Sequence, residues 1–83
     1  ERLMRLDKYL KISRIIKRRT VANEACDAGR VLVNGKAARA SYNVQTGDVI
    51  EISFGTHTVK AEILNVNEYA KKDEASQMYR IVD

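Results

Sequence analysis

The sequence predicts an α+β domain. Two N-terminal helices pack on a small, strongly bent, mostly antiparallel sheet, and a short C-terminal helix and strand follow. Three observations carry this expectation. Apolar residues recur at helical spacing up to residue 28, Asn34-Gly35 stands between two short apolar runs, and β-rich runs fill 49–54 and 58–64. Helices gathered at one end of a chain and strands at the other give segregated layers rather than an alternating parallel sheet.

The first helix rests on Leu6, Tyr9, Leu10 and Ser13, which fall at i, i+3, i+4 and i+7 and make one largely apolar face. Asp7 lies in its first turn, where a negative charge suits the helix dipole. Lys8 and Lys11 are three apart and share another face, so the helix packs with one side and offers charge with the other. Residues 14–18 admit two readings: Ile15 and Ile16 either continue the helix or anchor a loop beneath the basic side chains. A second helix is expected over about 19–28, with Val21, Ala22, Ala25 and possible support from Ala28 as its buried stripe. Gly29 stands where that helix should end in a left-handed cap.

Strands come next. Asn-Gly between Val31-Leu32-Val33 and Lys36-Ala37-Ala38 is a strong short hairpin signal, because a type I′ turn needs positive φ at both central positions. Gln45-Thr46-Gly47-Asp48 reads as a second turn. Gly55-Thr56-His57 reads as the hairpin loop between the two long β runs. Residues 69–77 have helical composition, and 78–82 read as a final short strand. Tyr9 and Phe54 are expected in the core.

The 83 residues suit one small domain and leave no room for separate cofactor and substrate domains. It is expected to span 4–83, with Met4 a candidate for the biological start and the origin of residues 1–3 left open by the sequence. The longest apolar runs fall far short of a membrane span, so no membrane role is expected. Arg and Lys interrupt the early apolar residues, so no secretory signal is expected. Cys26 is alone, which leaves no internal disulfide and no cysteine cluster for zinc. These features together imply a reduced, cytoplasmic setting.

Charge is distributed unevenly. Residues 5–19 hold seven Lys/Arg and one Asp, a local charge of +6, whereas residues 20–83 hold seven Lys/Arg and nine Asp/Glu. A basic element on an otherwise acidic chain is the footprint of a nucleic-acid partner. The candidates for RNA contact are Arg5, Lys8, Lys11, Arg14, Lys17, Arg18 and Arg19, with Arg30 and Lys36 further on. Arg19 opens the second helix, where free backbone N–H groups already favour phosphate. Cations there position RNA through its backbone, with little sequence readout. Tyr42, in a loop, is a weaker candidate for touching a base.

An enzyme is not expected. His57 is the single histidine and Cys26 the single cysteine, and neither has a catalytic partner in the sequence. Cys26, in an alanine-rich helix, reads as a small buried apolar residue. No metal site and no cofactor are expected.

Arg5-Leu6-Asp7-Lys8-Tyr9-Leu10, Arg19-Thr20 opening a helix, and Ala28-Gly29-Arg30-Val31-x-Val33-Asn34-Gly35-Lys36 resemble the S-four domain, the RNA-binding domain named after small-subunit ribosomal protein four. Gly47-Asp48-x-Ile50 fits the same pattern, so the resemblance covers about 5–53, with an extension over 54–83. It implies two helices and a hairpin that grip folded RNA, with Arg5 and Arg19 at its contact positions. Lys8, Lys11, Arg14, Lys17 and Arg18 are added from charge and spacing.

The opening 4–11, the stretch 14–19 and the tail 71–79 are similar to the RqcP family of bacterial ribosome quality control factors. That resemblance implies binding to large-subunit rRNA and peptidyl-tRNA on obstructed large ribosomal subunits. It also implies a partner of the NFACT family, which adds alanines to the stalled chain. The free protein is expected to be a monomer. Heat-shock protein fifteen, which also binds large subunits carrying nascent chains, has a longer basic C-terminal extension and is the second reading. A third is an S-four fragment of a pseudouridine synthase or tRNA ligase.

Overall fold

The computed structural model describes residues 3–67, 69 and 71–82. Helix α1 spans Leu6–Ile12 and α2 spans Arg19–Asp27. The strands are β1 Val31–Val33, β2 Lys36–Ala37, β3 Val49–Phe54, β4 His57–Ile63 and β5 Tyr79–Ile81. They form one sheet in the order β2-β1-β3-β4-β5, and every neighbouring pair is antiparallel. The α+β class therefore stands as expected.

The core lies between the helices and one face of the sheet. Leu6, Tyr9 and Leu10 supply it from α1, Val31 and Val33 from β1, Ile50 and Ile52 from β3, and Ala61 and Ile63 from β4. The strand residues alternate, so each strand buries one side of its pleat. Met78 joins from the tail, and its carbonyl accepts a hydrogen bond of 2.7 Å from the buried Tyr9 hydroxyl. Phe54, at the end of β3, packs against this core while only partly buried.

Residues 14–18 form a loop and not a continuation of α1. Arg14 adopts a left-handed φ of 64°, which turns the chain, and Ile16 is buried as its anchor. In α2 the buried stripe is narrower than expected. Ala22 and Cys26 are buried and Ala25 is half-buried, whereas Val21 is 48% exposed and Ala28 is open. At about 100° per residue, Val21 and Ala28 both fall beyond the edge of the face centred on 22, 25 and 26.

The Asn34-Gly35 turn has φ of 53° and 86°, the two positive values the hairpin requires. The next hairpin is tighter than expected: His57 belongs to β4 and pairs with Phe54, so Gly55-Thr56 alone makes the turn. The tail departs most. Among the described residues of 69–77 there is no α-helix and one 3₁₀ turn at Ala75–Gln77; Ala70 lies outside the described residues. Ala75 and Met78 are the buried residues of 71–79, too few to hold an amphipathic helix on the core. Glu74 instead accepts a hydrogen bond from the Lys71 N–H at 3.0 Å, closing a local turn.

Candidate nucleic-acid interface

Both helix starts lack a side-chain cap. Arg5 occupies the N-cap of α1 and Arg18 that of α2, each with extended backbone. Helix packing brings these starts together around Asp7. Its carboxylate is 2% exposed and accepts from the Lys8 N–H at 2.8 Å, Asn23 Nδ2 at 3.1 Å and Arg5 Nε at 3.2 Å. Arg19 Nε lies 3.4 Å from its second oxygen. Arg5 and Arg19 are therefore two guanidiniums leaning on one buried carboxylate, while their own side chains stay 47% and 49% exposed. They border a cleft of about 440 Å³ shared with Thr20, Asn23 and Glu24.

The electrostatics of Asp7 follow from these contacts. Burial alone pushes a carboxyl up, but the Asn23 and Arg5 hydrogen bonds, the Lys8 N–H and the Arg19 charge outweigh it and hold Asp7 below its ordinary range. Asp7 is thus an anion at neutral pH, and it fixes where the two cations sit.

A second basic cleft, of about 310 Å³, is lined by Lys11, Ile12, Arg14 and Lys17. The left-handed turn at Arg14 folds Lys17 back toward Lys11, and the Arg14 N–H donates to the Lys11 carbonyl at 3.0 Å. Lys36 lines a third cleft together with Arg39. Lys8, Arg18 and Arg30 line none of these three. Lys8 is half-buried on α1, Arg18 is exposed, and Arg30 is exposed at the entry to β1, where its carbonyl accepts from the Ser53 N–H at 3.1 Å.

Sequence reasoning gave Asp7 only a dipole role and missed Asn23 and Arg39. The signal for Asp7 was available: it sits three residues before Leu10 and beside Leu6, at the margin of the apolar face, where a carboxylate needs partners. Asn23 follows Arg19 by four residues and so shares its face.

Away from these clefts, Lys60 pairs with Glu51 at 3.9 Å and Arg80 with Glu62 across the strands of the sheet. His57 is exposed, with its ring 5.9 Å from that of Phe54. Burial, with the charges of Asp7 and Asp27, pushes the Cys26 thiol up to about 11. Among the described residues no group of three His, Cys, Asp or Glu is placed to hold a metal, and no helix is long and apolar enough to cross a membrane.

Residues 4–50 match the S4 domain family model. The chain is 53% identical over 79 residues to the RQC P-site tRNA stabilizing factor of Listeria monocytogenes, across 95% of this chain and 86% of the relative. It is 47% identical over 79 residues to the Bacillus subtilis protein of the same name, across 95% and 92%. The chain belongs to the S4 domain family of RQC P-site tRNA stabilizing factors. Its fold is also that of the trimeric structure of Vibrio cholerae Heat Shock Protein 15, with a TM-score of 0.88 and 30% identity, over 98% of this chain and 83% of that one. Within this S4 domain, Arg5 and Arg19 are the pair that Asp7 gathers, and Lys11, Arg14 and Lys17 the trio that the 14–18 loop gathers.

Proposed function

We propose that this chain is a non-catalytic RNA-binding factor of ribosome quality control. It holds large-subunit rRNA and peptidyl-tRNA on an obstructed large ribosomal subunit, and supports alanine tailing by an NFACT-family partner on the same subunit. The observation that carries this reading is the Arg5–Asp7–Arg19 constellation at the uncapped starts of two helices. Two half-exposed guanidiniums held by a common carboxylate are set before RNA arrives, and each keeps N–H groups for phosphate. The names of the relatives support the tRNA and ribosome as its targets.

The role is positional. Arg5 and Arg19 grip phosphate at one point, and Lys11, Arg14 and Lys17 form a second cationic point. Lys8, Arg18, Arg30 and Lys36 add charge around them. Two points of attachment fix the orientation of a structured RNA, which a single patch does not. The peptidyl-transfer chemistry belongs to the ribosome. The free chain acts as a monomer, in the cytoplasm.

Cosedimentation with large subunits carrying peptidyl-tRNA tests this reading. Arg19→Ala and Arg19→Lys should both lose binding, because an ammonium does not reproduce the fork of a guanidinium, and both should reduce alanine tailing in a reconstituted assay. Unchanged cosedimentation of both variants refutes it. The fold shared with Heat Shock Protein 15 supports a second reading, a large-subunit recycling factor. Under it, tailing proceeds normally without this chain.

A further inference from the structure

The cleft of about 670 Å³ beside the β1–β2 hairpin is lined by Lys36, Ala37, Ala38, Arg39, Ser41 and Tyr42, together with Val33 and Asn34. One carboxylate ties its walls together. Asp48 Oδ1 accepts from Asn34 Nδ2 at 3.0 Å, in the hairpin turn. Asp48 Oδ2 accepts from the Gln45 N–H at 2.9 Å and from the Tyr42 hydroxyl at 3.4 Å. Asn34 Oδ1 in turn accepts from the Val49 N–H at 3.0 Å. The hairpin turn, the Tyr42 loop and the start of β3 are thus joined through Asp48. The Tyr42 ring is held at its hydroxyl end while the residue stays 38% exposed. Burial, then the Asp48 charge and hydrogen bond, push the phenol up, so the ring remains neutral.

This cleft adjoins the arginine pair. The Leu6 N–H donates to the Tyr42 carbonyl at 2.7 Å, and Arg5 forms an isolated β-bridge with Asn43. A fixed, open aromatic ring therefore stands beside a phosphate grip, with Lys36 and Arg39 on the same cleft.

We propose that this cleft takes one unpaired nucleotide of the bound RNA, with its base against the Tyr42 ring and its flanking phosphates on Lys36 and Arg39. The inference rests on the RNA-binding reading above and adds a preference that phosphate contacts do not supply. In a duplex the base faces are stacked away, so an aromatic ring on the protein surface serves a base that has left the stack. Every base has a π-face, so the ligand class is an unpaired nucleotide of any sequence. The two cations match the phosphates on either side of it.

The test uses the full chain and two RNA hairpins that differ by a single bulged nucleotide, replaced by 2-aminopurine as the probe. Binding is titrated over a range of salt. The wild type should prefer the bulged hairpin and change the emission of its probe. Tyr42→Ala and Tyr42→Leu should lose about 5- to 150-fold on the bulged hairpin, the contribution of one stacked base, and nothing on the paired one. Their salt slopes should match the wild type. Tyr42→Phe should keep the preference, and Lys36→Ala and Arg39→Ala should each lower the salt slope by about one. Arg19→Ala should weaken both hairpins alike. Equal wild-type affinity for the two hairpins overturns the nucleotide site and leaves the RNA-binding reading standing. The same holds if Tyr42→Ala and Tyr42→Leu keep the preference. Failure of the wild type to bind either hairpin overturns both.

Discussion

Replacing Asp7 by asparagine removes the one charge that holds Arg5 and Arg19 together, and its cost can be worked from the contacts. Hydrogen bonds to a charged group contribute roughly 1.5–3 kcal/mol each when buried. Arg5 and Arg19 are 47% and 49% exposed, so water replaces much of what they lose, and each pair counts as less than about 1 kcal/mol. The Lys8 N–H and Asn23 Nδ2 lose a charged acceptor, and one asparagine oxygen cannot serve every donor around it. The sum is about 2 kcal/mol, equivalent to a drop of roughly 8–16 °C in Tm for a domain of this size. The pH dependence gives the sharper test. The folded carboxyl sits below its unfolded value, so its stabilisation is complete above the unfolded pKa, near 3.9, and is lost as pH falls through the folded value. Thermal melts followed by circular dichroism should therefore show a constant gap between wild type and Asp7→Asn from pH 7 to about 5. The gap should close on acidification below about pH 4. A gap under about 2 °C at neutral pH, or one that persists in strong acid, refutes the reasoning.

Three other outcomes follow from the geometry. Gly35→Val puts a β-branched residue at a φ of 86° and should cost roughly 1–3 kcal/mol in chemical denaturation; an unchanged midpoint would rule out the left-handed turn. Tyr9→Phe removes the donor at 2.7 Å from a Met78 carbonyl that keeps the Leu64 and Asn65 N–H groups, so it should cost only roughly 0.5–1.5 kcal/mol, read as a modestly lowered Tm with tail amides that exchange faster. Cys26, with its thiol pushed from 9.0 to about 11, should react with a thiolate-specific reagent about a hundredfold more slowly than in the unfolded chain, and labelling at equal rates would contradict its burial.

The parts of this fold legible in the sequence are those where local chemistry and tertiary packing agree. The Asn34-Gly35 turn needs positive φ whatever surrounds it, and the apolar alternation of Val49–Phe54 permits one face inward. Residues 69–77 misled because their composition favours a helix, while burial at Ala75 and Met78 alone gives that helix nothing to lie on. Val21 misled for a related reason: a nine-residue helix shows too few turns to fix the centre of its buried face from sequence. In the candidate site, the convergence of Arg5 and Arg19 was foreshadowed by charge, and its cause was not. Arg5 reaches Asp7 from two residues away, but Arg19, 14 positions after Arg5, meets it because helix packing lays the second helix against the first, and a single sequence carries no record of that distance.

The hydrogen bond from Tyr9 to Met78 spans 69 residues, which gives it a meaning in time. A ribosome adding about 5–20 residues per second needs roughly 3–14 seconds to get from one partner to the other. Throughout that interval the first helix already exists as sequence, while its tyrosine hydroxyl lacks the acceptor that lets it settle in the core. The helix that carries Asp7, and through it the placement of both arginines, therefore reaches its final packing only after Met78 has been added. A nascent copy stalled before residue 78 holds this proposed RNA-binding surface without the contact that seats its first helix, so maturation of the surface waits on the tail.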